Sequence, residues 1–266
     1  MMPMTPIGTP GNRRMAMLID GDNAQPSLIE KMLAETSKYG LITIRRIYGD
    51  WTASNMGGWK EMLQTYAIQP IQQFRYTIGK NATDSAMIID AMDILYGGGV
   101  DAFCLVSSDS DYTRLATRIR EKGFFVMGIG KKTTPRAFVN ACDVFVYTQN
   151  LVPQEPAKPA PTKHKSTAAA AANNNQAPEP AEPPEAAAPD PLPLLRNAFD
   201  IAASDDGWAF LGTLGHHVRQ LDPGFDSRTY GYKQLSSLIR AYPKIFTVRE
   251  LKTADGNSVI SVKLKE

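Results

Sequence analysis

MAMLIDGDN, residues 15–23, decides the reading of the fold: five apolar residues in an unbroken run, then two aspartates and an asparagine within four positions. A strand with one wet face alternates apolar and polar side chains, so an unbroken run predicts a strand covered on both faces. Working outward, LITIRRIYGD (41–50), IQPIQQF (68–74), DAFCLVSSD (101–109), FFVMGIG (124–130) and VFVY (144–147) also read as strands. Amphipathic segments separate most of them, namely LIEKMLAETSKYG, WKEMLQTYA, DSAMIIDAMDILYGG and YTRLATRIREKG, with Gly40, Gly97 and Gly123 at helix ends. Strand and helix in strict succession predict an α/β domain, a doubly wound parallel sheet. In such sheets ligands bind beyond the carboxyl ends of the strands, where strand order reverses.

Acids gather at those ends. Asp20 and Asp22 follow the first strand in IDGDN, Asp109 and Asp111 follow the fourth in SSDSD, and Asp84 opens the third helix. Carboxylates 4 to 6 Å apart repel by roughly 3 to 4 kcal/mol per pair at an effective dielectric of 20. Protons or divalent cations must compensate, and an all-oxygen set selects Mg²⁺ or Mn²⁺. Zinc is disfavoured, since His164, His216 and His217 all lie outside this domain. Divalent cations held by aspartates suit phosphodiester cleavage. The plainer reading makes Asp84 or Asp111 a helix cap, and puts Asp90 and Asp93 on an exposed helical face with Asp90 a supporting group. Basic and aromatic residues share the edge. Trp51, Asn55 and Trp59 lie in a glycine-containing stretch that reads as a mobile loop, Lys80 precedes the third helix, and Lys131, Lys132, Thr133, Thr134 and Arg136 follow the fifth strand. They are the expected contacts to phosphates and bases, although Trp51 and Trp59 read equally well as core residues and the lysines as ordinary surface, with backbone amides ahead of Arg136 as a further phosphate cradle.

The chain has 29 Lys+Arg against 27 Asp+Glu among its 266 residues. Eleven of its 19 prolines fall between Pro153 and Pro193, which predicts a proline- and alanine-rich tether at 153–190 that raises local concentration without fixing geometry. The division is then a ragged leader at 1–14, a first domain at 15–152, the tether, and a second domain at 191–266. Net charges of +2, −2 and +2 for 1–152, 153–190 and 191–266 require any nucleic-acid surface to be a local patch. No apolar run reaches the roughly 18 residues of a membrane helix, and Cys104 and Cys142 sit in apolar strands as buried thiols. A cytoplasmic protein is expected. Residues 191–266 read as three short helices and a hairpin turning near Asp255 and Gly256, a winged helix with Arg219, Arg228, Lys233, Arg240 and Lys244 as a scattered basic face.

IDGDN, the helix acids Asp84 and Asp90 after a lysine, SSDSDY, GIGKKT and ACDVFVY together resemble the NYN domain, which is related to the PIN nucleases and includes LabA-type and limkain-type proteins. The resemblance covers residues 15 to 150 and implies a metal-dependent ribonuclease, with Asp20, Asp84, Asp109 and Asp111 as the acidic, metal-binding centre and Asn23 in support beside Asp22. Lys80 stands four residues before the helix acid, where the family usually has three. Trp208, Leu214-Gly215, DPGFD, Tyr230-Gly231, Leu235 and KIFTV resemble the LOTUS or OST-HTH domain, implying a module that binds RNA or docks a protein. The expected activity is hydrolysis of single-stranded RNA. A non-catalytic RNA-binding adaptor is the alternative. A haloacid dehalogenase-like phosphatase, with Asp20 as nucleophile and Asp22 as acid/base, fits less well because Ala24 stands where that family places Thr or Val.

Overall fold

The computed structural model describes residues 13–74, 82–152, 189–204, 206–252 and 258–265. Six parallel strands form the first sheet: β1 (Arg14–Asp20), β2 (Leu41–Gly49), β3 (Gln69–Gln72), β4 (Ala102–Val106), β5 (Phe125–Gly130) and β6 (Val144–Tyr147), in the order β3-β2-β1-β4-β5-β6. The chain winds outward from β1 in one direction and from β4 in the other, so the strand order reverses between these two neighbours. Their register pairs Met15 with Ala102 and Ile19 with Val106. All five residues of β4 are buried. A fully buried large apolar side chain contributes about 1.5–3 kcal/mol, so this centre leaves no place for charge until the strand ends.

Helices cover both faces. On one, α3 (Ala82–Gly97), α4 (Thr113–Glu121) and α5 (Arg136–Ala141) pack Met87, Ala91, Leu115, Ile119 and Phe138 against Leu18, Phe103, Leu105 and Phe145. On the other, α1 (Ile29–Ser37) and α2 (Lys60–Thr65), with the 3-10 turn Ser54–Trp59, pack around Met17, Ile19, Cys104 and Ile129. The stretch expected to be a mobile loop is anchored instead: Met56 and Trp59 are each 1% exposed. Trp59 is a core residue. Asp90 is not on an exposed face either. It is paired with Arg46 and accepts from the Tyr48 hydroxyl, fastening α3 to β2, whereas Asp93 is exposed as expected.

The second domain has α6 (Leu192–Ala202), α7 (Leu211–Leu221) and α8 (Leu235–Arg240), with an antiparallel sheet of β7 (Ala209–Phe210), β8 (Phe246–Lys252) and β9 (Ser258–Leu264) in the order β7-β9-β8. The two-residue strand β7 is an addition to the expected hairpin, whose turn lies outside the described residues, as do residues 1–12 of the expected leader and most of the tether, whereas Arg14 opens β1 instead of closing the leader. Leu195, Phe199, Leu214, Val218, Leu238 and Phe246 form the core.

The two domains touch through specific bonds, so their geometry is fixed by more than a tether. The Phe145 amide on edge strand β6 donates to the Pro223 carbonyl at 2.8 Å, which caps part of an otherwise open sheet edge. Arg228 is held by Asp226 at 2.6 Å and by Glu35 of α1 at 3.1 Å, and Asn150 donates to Thr229 at 2.9 Å. Arg228→Ala leaves the buried Glu35 with Lys38 as its remaining ion partner. Urea unfolding should show a loss of about 1–3 kcal/mol, whereas an unchanged midpoint would mean the contact does not hold in solution.

Both cysteines are free and buried. Burial pushes the Cys104 thiol up to about 12, so it should resist thiol reagents in the native state and react on unfolding. A raised thiol contributes stability that is complete below its unfolded value near pH 9 and is lost as pH rises toward 12. Cys104→Ala should flatten that alkaline loss in thermal melts, measured against the wild type.

Candidate metal centre

The exits of β1 and β4 meet above the point where strand order reverses. Asp20, the last residue of β1, is 1% exposed, and such a carboxylate survives only when hydrogen-bonded. Its Oδ2 accepts from the Asn23 side-chain amide at 2.7 Å and from the Ser107 hydroxyl at 2.8 Å, and its Oδ1 accepts from the Asp22 amide at 3.1 Å. Burial holds the Asp20 carboxyl above its ordinary range, opposed by the bonds from Asn23 and Ser107 and reinforced by Asp84. Ser107 also accepts from the Asp109 amide at 3.1 Å. One hydroxyl thus joins the two strand exits.

Close backbone approach makes this junction possible. A Cβ on Gly21 would fall 2.7 Å from the Tyr48 carbonyl oxygen, and one on Gly130 would fall 2.5 Å from that of Ser107. Both lie below any tolerable contact.

Asp84 comes in from the first turn of α3, and its Oδ1 accepts from the Tyr112 hydroxyl at 2.6 Å. Asp109 caps the 3-10 turn Ser110–Tyr112 by accepting from the Asp111 amide at 2.9 Å. The cap is therefore Asp109. Carboxylate oxygens of Asp84, Asp109 and Asp111 lie within 4.8 Å of one another. Asp20 is outside this trio and is connected to it through Ser107. Burial raises the Asp84 carboxyl, the Tyr112 hydrogen bond opposes, and Asp109, Asp111 and Asp22 raise it further. Asp22 is exposed and accepts from Thr83 at 3.2 Å.

The expected RNA contacts are spread more widely. Trp51 is half-buried, its indole N–H donating to the Ile71 carbonyl at 3.1 Å. Asn55 lies in the Ser54–Trp59 turn, and Lys80 is outside the described residues. Lys131 and Thr133 are exposed, whereas Thr134 is 5% exposed and donates to the Lys131 carbonyl at 2.6 Å. The Lys131 amide donates to Ser108 at 2.8 Å and the Lys132 amide to Gln149 at 3.1 Å. The expected phosphate cradle is thus largely bonded within the protein: the Thr134 amide also meets the Lys131 carbonyl, Pro135 has no N–H, and α5 is six residues long. Arg136 is engaged by Asp222 of the second domain at 3.2 Å and by Tyr147. In the second domain Arg228 is bound to Glu35, and Arg240 to Glu250 at 3.5 Å. Ser107, Tyr112 and Thr83 were not singled out in the sequence. SSDSDY contained the first two, but serine and tyrosine reveal a role only once the partner carboxylate is located.

Residues 14–150, more than half of the chain, match the NYN domain. The chain belongs to the NYN domain family. Residues 182–257 match the OST-HTH/LOTUS domain. NYN membership agrees with the PIN-like α/β fold of the first domain. The chain is 27% identical over 124 residues to the "Uncharacterized protein MJ0482" of Methanocaldococcus jannaschii, covering 45% of this NYN protein and 48% of that relative. It therefore spans about half the length of this curated relative. Among solved structures, a protein of unknown function from Vibrio parahaemolyticus, VPA0982, is 18% identical with a TM-score of 0.44, covering 53% of this chain and 95% of that one. An uncharacterized protein from gene locus NE0665 of Nitrosomonas europaea is 32% identical with a TM-score of 0.28, covering 35% and 91%. No helix among the described residues is long and apolar enough to cross a membrane.

The electrostatics have a measurable consequence. A carboxyl raised by burial contributes stability that is complete below its unfolded value near pH 4 and falls as pH rises through the folded value. In metal-free protein, Asp84→Asn should therefore raise the melting temperature at neutral pH, with the gain shrinking toward pH 4. A lower melting temperature at neutral pH would show that burial and the neighbouring acids do not disfavour the carboxylate.

Proposed function

We propose that this protein is a divalent-metal-dependent ribonuclease that hydrolyses phosphodiester bonds of single-stranded RNA. The supporting observation is the gathering of carboxylate oxygens from Asp84, Asp109 and Asp111 within 4.8 Å of one another. Three hard oxygen donors with no nitrogen or sulfur among them fit Mg²⁺ or Mn²⁺. When bound, such a cation activates water and stabilises the departing oxygen.

The chain's own groups supply the positioning. Asp84, Asp109 and Asp111 would hold the cation. Asp20 is a buried carboxylate whose hydrogen bonds with Asn23 and Ser107 lock both strand exits. Tyr112 orients Asp84 by donating to one oxygen, leaving the other directed by the same bond. Lys131, exposed past β5, meets the substrate phosphates with Lys132 next to it, and Trp51, past β2 on the other side of the β1–β4 junction, offers a ring to a more distant base. The second domain, held against β6 by Pro223, keeps RNA close to the centre. Asp20 is poorly suited to act as a phosphatase nucleophile, since it is 1% exposed and both of its oxygens accept hydrogen bonds.

Labelled single-stranded RNA incubated with Mg²⁺ or Mn²⁺ tests the proposal. Wild type should cleave, EDTA should abolish cleavage, and Asp109→Asn should lower the rate by about 100-fold or more, the equivalent of several kcal/mol of charge stabilisation. Cleavage that survives Asp109→Asn would sink the site. Binding without cleavage in either metal would make the protein an adaptor.

A further inference from the structure

The three-stranded sheet of the second domain has an outer face that the proposed nuclease reaction does not use. Register places Phe210 of β7 and Arg249 of β8 on either side of Ser261 of β9. Their neighbours Ala209 and Val262 are fully buried in the core, so alternation puts Phe210, Ser261 and Arg249 on the opposite face. Trp208, two residues before Phe210, lies on the same side.

Three features of this row are unusual for a solvated sheet face. Phe210 is 54% exposed, a large apolar ring with no folding role on that side. The Arg249 guanidinium lies over the Trp208 ring, 4.2 Å from its centroid. Ser261 is 1% exposed, and its hydroxyl has no hydrogen-bond partner among the described residues. A buried hydroxyl without a partner costs stability, so folding alone gives no reason for serine here. Ser204, Asp206, Trp208, Phe210, Arg249 and Ser261 line an open pocket of about 240 Å³. That is below the roughly 300–1,000 Å³ of pockets for drug-sized ligands, and suits one flat ring.

We infer that this pocket takes an unpaired nucleobase of RNA. The planar guanidinium of Arg249 occupies the place on Trp208 that a stacked base would take. On binding, the base replaces it, Arg249 turns to the adjoining phosphate, and Phe210 packs against the exposed edge or face of the ring. Movement of Arg249 uncovers the Ser261 hydroxyl, which hydrogen-bonds the base edge. Asp206, whose Oδ1 already accepts from the Trp208 amide at 3.1 Å, presents a second acceptor to exocyclic amino groups. Lys263, two residues beyond Ser261 on β9 and exposed, adds a cation for the backbone. The inference rests on RNA as the substrate class and assigns the RNA contact of the second domain to its sheet face.

The test uses the full chain in EDTA, where cleavage is absent and the uncompensated carboxylates of the first domain repel RNA. Fluorescence anisotropy compares a mixed-sequence single-stranded oligoribonucleotide, the same oligomer with abasic riboses, and a labelled mononucleotide. Phe210→Ala should weaken binding to the base-bearing oligomer by roughly 5- to 150-fold, the range for one stacking contact. Ser261→Ala should weaken it by roughly 2- to 12-fold with an unchanged or higher melting temperature, which a purely structural serine would not produce. Wild-type affinity in both variants, or equal binding of the abasic oligomer, would overturn the inference and leave this face to a protein partner or to no ligand. A mononucleotide binding as tightly as the oligomer would overturn its assignment to RNA. These measurements do not depend on catalysis, so they can fail while metal-dependent cleavage stands, and the converse.

Discussion

The buried carboxylate of Asp20 is the constraint on which the rest of the first domain depends. It sits at the end of the most enclosed part of the sheet, where an ionised group must be fully hydrogen-bonded. Asn23 and the Asp22 amide answer from its own strand exit, and Ser107 answers from the neighbouring one. Because Ser107 also receives the Asp109 amide, satisfying Asp20 fixes where the second pair of acids begins. The crevice is shaped by solving one desolvation problem.

The same logic explains why the acids lie where they do. Strand β4 is buried throughout, so charge is excluded from it until Ser107 ends the apolar run. Beyond that point Asp109 turns the chain into α4, and Asp84 arrives from α3 on the same face of the sheet. Tyr112, buried and bonded to Asp84, ties the two helices together at the level of the acids. Repulsion among Asp84, Asp109 and Asp111 is thereby held in place by packing, as a cation site requires and a resting fold does not.

Much of this was legible in the chain. Unbroken apolar runs ending in acids indicated a parallel sheet with a carboxylate edge, because burial on both faces leaves no other place for charge. The reading was weaker where a residue type is ambiguous by chemistry. Trp59 and Trp51 read equally as base stackers or core, and packing put Trp59 inside and bonded the indole of Trp51 to β3. Arg136 read as a phosphate contact, but Asp222 lies 86 positions away in sequence and reaches it only because the second domain docks on β6.

The sequence by itself determined the alternation of strand and helix, the acids at the strand ends, and the presence of a second small domain beyond a proline-rich stretch. These follow from hydrophobic period and composition, which are local. Tertiary structure alone decided which acids converge: Asp84, Asp109 and Asp111 share one crevice, Asp20 is joined to it through Ser107, and Asp90 belongs to Arg46 and Tyr48. It also decided that Phe210, Ser261 and Arg249 form one row. Distance between residues far apart in the chain is set by strand order and register, and no local pattern carries that information.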